Sequence, residues 1–410
     1  MIAMSLIKTH PALPSQGSLA STFPWRPLES IHLLVDGDCF YPRMLEAIGN
    51  ARESIYLEIY YVQPGRVADQ FIEALGQAVQ RGVSVRLLLD SIGAREFSAA
   101  DHKHVSNAGI QLRLYNPLAR KKFAMNLSRD HRKILIIDRT IAFTGGAGIA
   151  DVFDLSANPQ KAWHDLMIES QGPVVADWCE LFEQAWMFYN GMPDLPIPTR
   201  ISSYLHISRY FRPLTGVPSQ TRVNSSNGVG DEQIKADLVK RIRAAKRRAW
   251  IATAYFYPSR KLRRALIRAA GNGIDVRLLL PGPRTDHPAV RYASRRYYGQ
   301  LLRHGVMILE YQPRFMHMKI ALADDWVSVG SCNFDRWNLR WNLEANQEIL
   351  DVDFAAQIRA LFEADFKDSE AYSAVNWARR RWWTKFQELF WFQIGRLIEF
   401  MSLHIKRRRP

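Results

Sequence analysis

Cysteine is scarce in this chain. Its 410 residues hold three, Cys39, Cys179 and Cys332. They are too few and too scattered for a disulfide framework, and none forms the CxxC pair of a zinc site. Such usage fits a reducing compartment. Long apolar runs are missing as well. The N-terminal MIAMSLIKTHPALPSQGS is apolar over too short a stretch for a secretory signal. No later segment reaches the roughly twenty uncharged apolar residues of a transmembrane helix, so an integral membrane protein is not expected. Negative charge is in deficit: 55 Lys and Arg stand against 40 Asp and Glu, a formal net of +15. That balance favours polyanionic partners, whether nucleic acid, anionic lipid or phosphorylated substrates.

What is present is an ordinary globular composition, 47% hydrophobic and 23% charged, long enough for two domains. The chain is written twice. ESIYLEIYYVQPGRVADQFIEALGQAVQRGVSVRLLLD (Glu53 to Asp90) and RRAWIATAYFYPSRKLRRALIRAAGNGIDVRLLLPGP (Arg247 to Pro283) follow one plan. A β-branched and aromatic run reads as a strand. Apolar residues at helical spacing follow, Phe71, Leu75, Ala78 and Val79 in one copy and Leu262, Leu266 and Ala269 in the other. A glycine, Gly82 or Gly273, ends each helix. VSVRLLL or IDVRLLL then reads as a buried strand. Two β-α-β units predict two similar α/β lobes. Between them, residues 191–203 and 212–233 are rich in Pro, Gly, Ser and Asn and read as linker. YLHISRYF, residues 204–211, reads as a strand of the second lobe.

Each copy is followed at nearly the same offset by one further motif. SRDHRKILIIDRT (Ser128 to Thr140) contains His131, Lys133 and Asp138. MHMKIALADDWVSVGSCNFD (Met316 to Asp335) contains His317, Lys319 and Asp324 at the same spacing. Residues i and i+2 of a strand share a face, so each His-Lys pair points to one side. ILII and IALA bury the strand behind it. Each aspartate falls at i+7, on the opposite parity, and is expected to brace the site rather than touch substrate. Asp325 is a second candidate for that brace, because the loop before Gly330 is one residue shorter than its counterpart. Two such pairs facing each other would form a reagent for phosphate esters. Two lysines orient the phosphate as point charges. One imidazole can attack phosphorus, and the other can shuttle the proton. The positive field then needs neither metal nor cofactor.

The paired HxKxxxxD motifs resemble those of the phospholipase D superfamily. AFTGG (Ala142 to Gly146), GSCNFD (Gly330 to Asp335), AWHDLMIESQGPVV (Ala162 to Val175) and WNLEANQEIL (Trp341 to Leu350) are similar to the segments that accompany them there. The resemblance runs from about Ile31 to Asp368. It is greatest to the bacterial cardiolipin synthases of type B, which lack N-terminal membrane spans. It implies an α/β fold of two similar lobes, each a mixed β-sheet flanked by helices, related by a pseudo-twofold axis with one active site between them. The expected division is an N-terminal extension at 1–30, lobes at 31–200 and 201–370, and a tail at 371–410.

By the same resemblance His131 is the nucleophile that forms a phosphohistidine and His317 the general acid and base. The near symmetry of the halves leaves the reverse order open. Asp165 and Glu344 match carboxylates that hold the second nitrogens of the histidines. Ser331 and Asn333 match a polar pair expected at the phosphate or its lysines. Gly148 stands where the first copy would carry the amide, and Cys332 replaces a small residue. Glu58 lies mid-strand, where a charge needs a partner, and is expected to line or support the site. Tyr255 and Phe256 suit either the cleft or the core. His102 and His104 read as residues of an exposed helix end.

The tail narrows the substrate. Residues 371–410 carry nine Lys and Arg against two acids, a net of +7, and four of the twelve tryptophans. RRRWWTKFQELFWFQIGRLIEFMSLHIKRRR reads as one amphipathic helix. Arg381, Lys385, Glu388, Arg396, Glu399 and Ser402 form a polar stripe. Trp383, Phe386, Phe390, Leu397 and Met401 form the apolar face. Arg396 and Glu399 disfavour a span. Aromatics flanked by arginine suit an anionic membrane surface, although packing on the protein's own body is the alternative. The expectation is a peripheral enzyme at the cytoplasmic face of the cell membrane. It would transfer a phosphatidyl group from phosphatidylglycerol to a second phospholipid, and nucleic acid is disfavoured as partner. Hydrolysis to phosphatidic acid and nuclease action use the same residues and stay open.

Overall fold

The computed structural model describes residues 23–118, 128–156, 158–187, 219–227, 233–335 and 342–407, with side chains described to residue 394. The strand expected at 204–211 and the linker at 191–203 lie outside the described residues.

The first lobe is a seven-stranded sheet. Its strands are β2 (Ser30–Val35), β3 (Ser54–Ile59), β4 (Ser84–Asp90), β5 (Gln111–Tyr115), β6 (Lys133–Ile137), β7 (Ile141–Gly145) and β8 (Leu166–Gln171). Their order is β2-β8-β7-β6-β3-β4-β5. The β3, β4 and β5 strands run parallel and the rest antiparallel. Parallel pairs need a crossover, which helix α2 (Arg66–Gln80) supplies between β3 and β4. Phe71, Leu75 and Ala78 of α2 are buried. Gly82 ends the turn at φ 90°, where a Cβ would be strained. Helices α1 (Gly37–Asn50) and α3 (Ala99–Asn107) complete this layer. Its core joins Phe40, Ile48, Leu57, Phe71, Leu87 and Phe143.

The second lobe repeats the plan in nine strands: β9 (Gln220–Asn227), β10 (Arg248–Thr253), β11 (Asp275–Pro281), β12 (Met307–Tyr311), β13 (Lys319–Ala323), β14 (Trp326–Gly330), β15 (Leu343–Leu350) and β16 (Ser369–Tyr372), joined by the two-residue β1 (Arg26–Pro27). Helix α6 (Arg260–Gly271) crosses between the parallel β10 and β11 and ends at Gly273, φ 81°. The remaining helices are α4 (Val174–Met187), α5 (Gln233–Ala244), α7 (Pro288–Arg295), α8 (Tyr298–Arg303), α9 (Val352–Lys367), α10 (Ala374–Ala378) and α11 (Trp382–Arg407). Two clusters join the lobes. One packs Leu166 and Ile168 against Trp250, Val329 and Ile349. The other packs Tyr56, Ile134 and Trp178 against Val223 and Ala345.

Two segments depart from the sequence reading. Residues 220–227, read as linker, form β9, paired along its whole length with β15. The strand is polar yet buried: Asn224 donates to Glu348 and Asp237, and Thr221 donates to the Glu348 carbonyl. Hydrogen-bonded side chains replace the apolar alternation that marks most strands, so composition misled. The part of the N-terminal extension at 26–27 joins β9 as an edge strand of the second lobe's sheet.

Candidate active site

Each motif strand enters its sheet at the lobe boundary. Lys133 opens β6 and pairs with Ile59, and Lys319 opens β13 and pairs with Thr253. The residues just before them reach across to the other lobe. The His131 N–H donates to the Leu343 carbonyl at 2.9 Å, and Leu343 donates to Arg129 at 2.8 Å. The His317 N–H donates to the His164 carbonyl at 2.7 Å, and His164 donates to Phe315 at 2.8 Å. These two crossed bridges bring the motifs together.

The carboxylates are crossed too. Glu344 follows Leu343 and lies 3.1 Å from His131 Nδ1. Asp165 follows His164 and lies 2.7 Å from His317 Nδ1. A carboxylate accepts, so each Nδ1 carries the proton and each Nε2 keeps its lone pair. All six side chains are buried. Lys133 Nζ donates to the His131 carbonyl at 2.5 Å. Lys319 Nζ donates to the His317 carbonyl and lies 2.8 and 3.0 Å from the ring nitrogens.

Burial sets the electrostatics. It lowers His131 below its ordinary value even against Glu344. Burial and then the Lys319 charge push His317 down to about 4. Burial and the second ammonium bring Lys133 to about 7, and burial brings Lys319 to about 8 against the pull of Asp165 and Glu344. Burial would raise Asp165, yet Lys319 and His317 hold it below the usual carboxylate range. Glu344 behaves the same way beside His131 and Lys133. Two buried ammonium groups, balanced by the ionised Asp165 and Glu344, thus stand next to two neutral imidazoles.

Asp138 and Asp324 stand behind the strands. Asp138 accepts from the N–H groups of Arg52, Glu53 and Ser54 at 2.7 to 2.9 Å. Asp324 accepts from Lys246, Arg247 and Arg248 at 2.7 to 3.0 Å. Each sits at positive φ in the turn after its strand, 49° and 53°, and its carboxylate satisfies the orphan donors at the start of β3 or β10. Asp325 instead forms an exposed ion pair with Arg247, so the brace is Asp324.

Other positions differ from expectation. Ser331 donates to Glu344 at 2.5 Å and also engages Ala345; it holds the carboxylate rather than facing phosphate. Asn333 is fully buried, and neither its Nδ2 nor its Oδ1 has a hydrogen-bond partner among the described residues. A buried amide in that state awaits a polar group. Glu58 is buried 2.7 Å from Arg132 Nε, which also lies 3.1 Å from Asp130; it supports the residue next to His131 instead of lining the cleft. Tyr255 comes within 6.4 Å of His317, ring centre to ring centre, and its hydroxyl donates to Asp286, whereas Phe256 is core. Cys332 is buried, its N–H donating to Asn346. His102 and His104 lie on α3, His104 exposed.

Sequence reasoning missed the rings around the histidines. Phe153, Trp163 and Phe315 lie 5.9, 5.1 and 5.6 Å from His317, and Tyr60 lies 4.7 Å from His131. Trp163, two residues before Asp165, was the one with a signal. Asp90 was missed too: it accepts from Ile92, Gly93 and Asp130 and so fixes the loop ahead of His131.

The sequence matches a family profile described as cardiolipin synthase, PLD-like domain, over residues 44–186 and 238–366, one stretch in each lobe. The chain belongs to this family. It is 34% identical to cardiolipin synthase B of Salmonella typhi over 365 residues, 88% of this chain and 86% of that protein. It is 32% identical to cardiolipin synthase B of Escherichia coli (strain K12) over 392 residues, 93% of this chain and 92% of that one. The crystal structure of phosphatidylserine synthase from Haemophilus influenzae superposes with a TM-score of 0.69 at 15% identity, covering 93% of this chain and 96% of that chain. That likeness establishes the two-lobed phospholipase D fold.

The tail helix α11 docks on the second lobe. Glu388, assigned from sequence to the polar stripe, turns inward: it is buried against Arg380 at 2.7 Å and Arg295 at 3.2 Å. Two guanidinium groups outweigh the hydration that a lone carboxylate would keep. Phe392 packs on Tyr257 and Tyr297. Trp382, Trp383, Phe386 and Phe390 remain exposed, Trp382 by 74%. Arg396, Leu397, Glu399, Met401 and Ser402 have no described side chains. Among the described residues no helix is long and apolar enough to cross a membrane.

Proposed function

We propose that this protein is a phosphatidyltransferase that makes cardiolipin from phosphatidylglycerol and a second phospholipid through a phosphohistidine. The observation that carries the reading is the pair of buried histidines, each tied at Nδ1 to a carboxylate of the other half and each beside a buried lysine. Lys133, Lys319 and the unpartnered Asn333 amide receive the phosphodiester oxygens. His131 Nε2 attacks phosphorus, a P–N bond forms and the P–O bond to the leaving glycerol breaks. His317 donates a proton to that oxygen. The phosphate charge opposes the burial and the Lys319 field that keep His317 low, so it binds a proton when substrate is present. The glycerol leaves, and the hydroxyl of the second phospholipid takes its place. His317 accepts that proton, the oxygen attacks phosphorus and the P–N bond breaks. Asp165 and Glu344 stabilise the imidazolium states. Asp138, Asp324, Ser331 and Glu58 hold the frame.

The exposed aromatic ridge of α11, on a chain of net charge +15, supports work as a peripheral protein on the anionic surface of the cell membrane's cytoplasmic face. The ion pairs of Glu388 hold that ridge outward.

Purified protein given labelled phosphatidylglycerol vesicles should form cardiolipin, and His131→Ala and His317→Ala should each abolish it. Phosphatidic acid as the sole product would favour hydrolysis. Cleavage of single-stranded DNA with untouched lipid would sink the proposal. Replacing Trp383, Phe386 and Phe390 by serine should reduce sedimentation with phosphatidylglycerol vesicles about 10-fold.

A further inference from the structure

His164 lies at the crossing of the two lobes, one residue before Asp165, and the reaction outlined above does not use it. Its ring is buried, with both nitrogens facing carboxylates. Nδ1 is 2.8 Å from Asp36 of the first lobe, and Nε2 is 3.2 Å from Asp365 on α9 of the second. A neutral imidazole has one N–H and one lone pair, and a lone pair aimed at a carboxylate is repelled. Two acceptors therefore select the doubly protonated ring. Arg314, also from the second lobe, lies 2.6 Å from the other oxygen of Asp36. Two acids and two bases thus form a row of balanced charge across the interface, Arg314–Asp36–His164–Asp365. Tyr311 stacks on the imidazole with ring centres 5.0 Å apart, and its phenol, pushed up to about 12 by burial, stays neutral.

The row grips the catalytic centre through backbone. The Asp36 N–H donates to the Asp165 carbonyl at 2.9 Å, and the Asp36 carboxylate accepts from the Asp165 N–H at 3.3 Å. The His164 carbonyl accepts from the His317 N–H. Asp165 and His317 are therefore each tied to a member of the row. The pseudo-symmetric position in the other half is Leu343, which makes the same backbone bridge to Asp130 with no charge.

We infer that His164 is a positioning residue: its imidazolium, clamped between Asp36 and Asp365, locks the Asp165–His317 pair in register across the lobe boundary, at the position where the His131 half has the uncharged Leu343. Burial would lower His164, but the hydrogen bonds to Asp36 and Asp365 outweigh it and raise the ring to about 9. The clamp is charged throughout the neutral range and is lost as pH rises through about 9. The groups facing it are Asp36 from the start of α1, Asp365 from α9, Tyr311 from the end of β12 and Arg314 from the segment after it.

The inference rests on the proposed role of His317, and its test separates the two. In the full-length protein, His164→Gln should lower kcat for cardiolipin formation by roughly 10- to 100-fold, with KM for phosphatidylglycerol within about twofold. Histidine NMR, read without substrate, should show His317 titrating higher and nearer its ordinary value while His131 stays in place. Asp365→Asn, which keeps the ring and removes one partner, should give the same pattern in milder form, and it decides the matter where His164→Gln does not fold. Unchanged kcat in both variants, or His131 and His317 moving together, would overturn the inference. Wild-type protein that makes no cardiolipin but shows the selective His317 shift would remove the assigned reaction and leave the clamp standing.

Discussion

The two halves of the site share one backbone and differ in nearly everything around it. Strand pairing, crossed bridges, crossed carboxylates and the aspartate braces repeat from one lobe to the other. The surroundings do not. His131 has the longer Glu344, which Ser331 steadies. His317 has the shorter Asp165, which approaches the chain so closely that a Cβ on Gly146, the counterpart of Ser331, would lie 2.3 Å from its oxygen. His317 is ringed by Phe153, Trp163, Phe315 and Tyr255, and His131 faces Tyr60. A repeated motif supplies two interchangeable reagents. The packing around each makes them different, by neighbouring rings and by neighbouring charge.

The strongest way to break this comparison is to ask which histidine carries the phosphatidyl group. Acid-quenched enzyme exposed to labelled phosphatidylglycerol should retain label in wild type and lose it in His131→Ala, with turnover reduced by at least about 10⁴-fold in either histidine variant. Label persisting in His131→Ala and vanishing in His317→Ala would reverse the roles. Next come the carboxylates. Glu344→Gln and Asp165→Asn should each cost roughly 10²-fold or more in kcat by disturbing the proton on Nδ1, and by unequal amounts. Equal losses would mean that the different surroundings carry no functional weight.

A smaller effect is expected from pH. Lys133 and Lys319 sit at about 7 and 8, below the ordinary 10.5. Below pH 7 the folded protein holds both charges against burial. As pH rises through 7 to 8 it sheds those protons before the unfolded chain does, so this contribution stabilises the fold with rising pH. A bound anion favours the charged forms. Inorganic phosphate should therefore raise the Tm more at pH 6 than at pH 9, and Lys133→Met should shrink that difference. The smallest effect, and the most symmetric, belongs to the braces. Asp138→Ala and Asp324→Ala should each lower stability by about 1–2 kcal/mol in urea unfolding, because three backbone donors lose their acceptor. A loss several times larger in one half would show that the frame itself is unequal.

Much of this was legible in the chain because periodicity and spacing are local. The β-α-β units, the glycines that end their helices and the two His-Lys pairs follow from residue order, and strand parity set Asp138 and Asp324 apart from the His-Lys faces, in line with their hydrogen bonds to the backbone of β3 and β10. Legibility failed where a residue's meaning depends on a distant partner. The polar strand at 220–227 looked like linker because its hydrogen-bond partners are on β15 and α5. Glu388 looked like surface because Arg295 lies 93 residues before it in the chain.

By itself, then, the sequence determined that two equivalent halves exist and that each holds an imidazole and an ammonium on one strand face, since both statements need only a period of two and a repeat. Tertiary structure alone decided that each histidine is held by the other half's carboxylate, that Glu58 pairs with Arg132 and Ser331 with Glu344, and that His164 is a charged staple where its counterpart is Leu343. Those outcomes depend on which groups share a low-dielectric space across the lobe boundary, where burial and opposite charge compete at distances of about 3 Å.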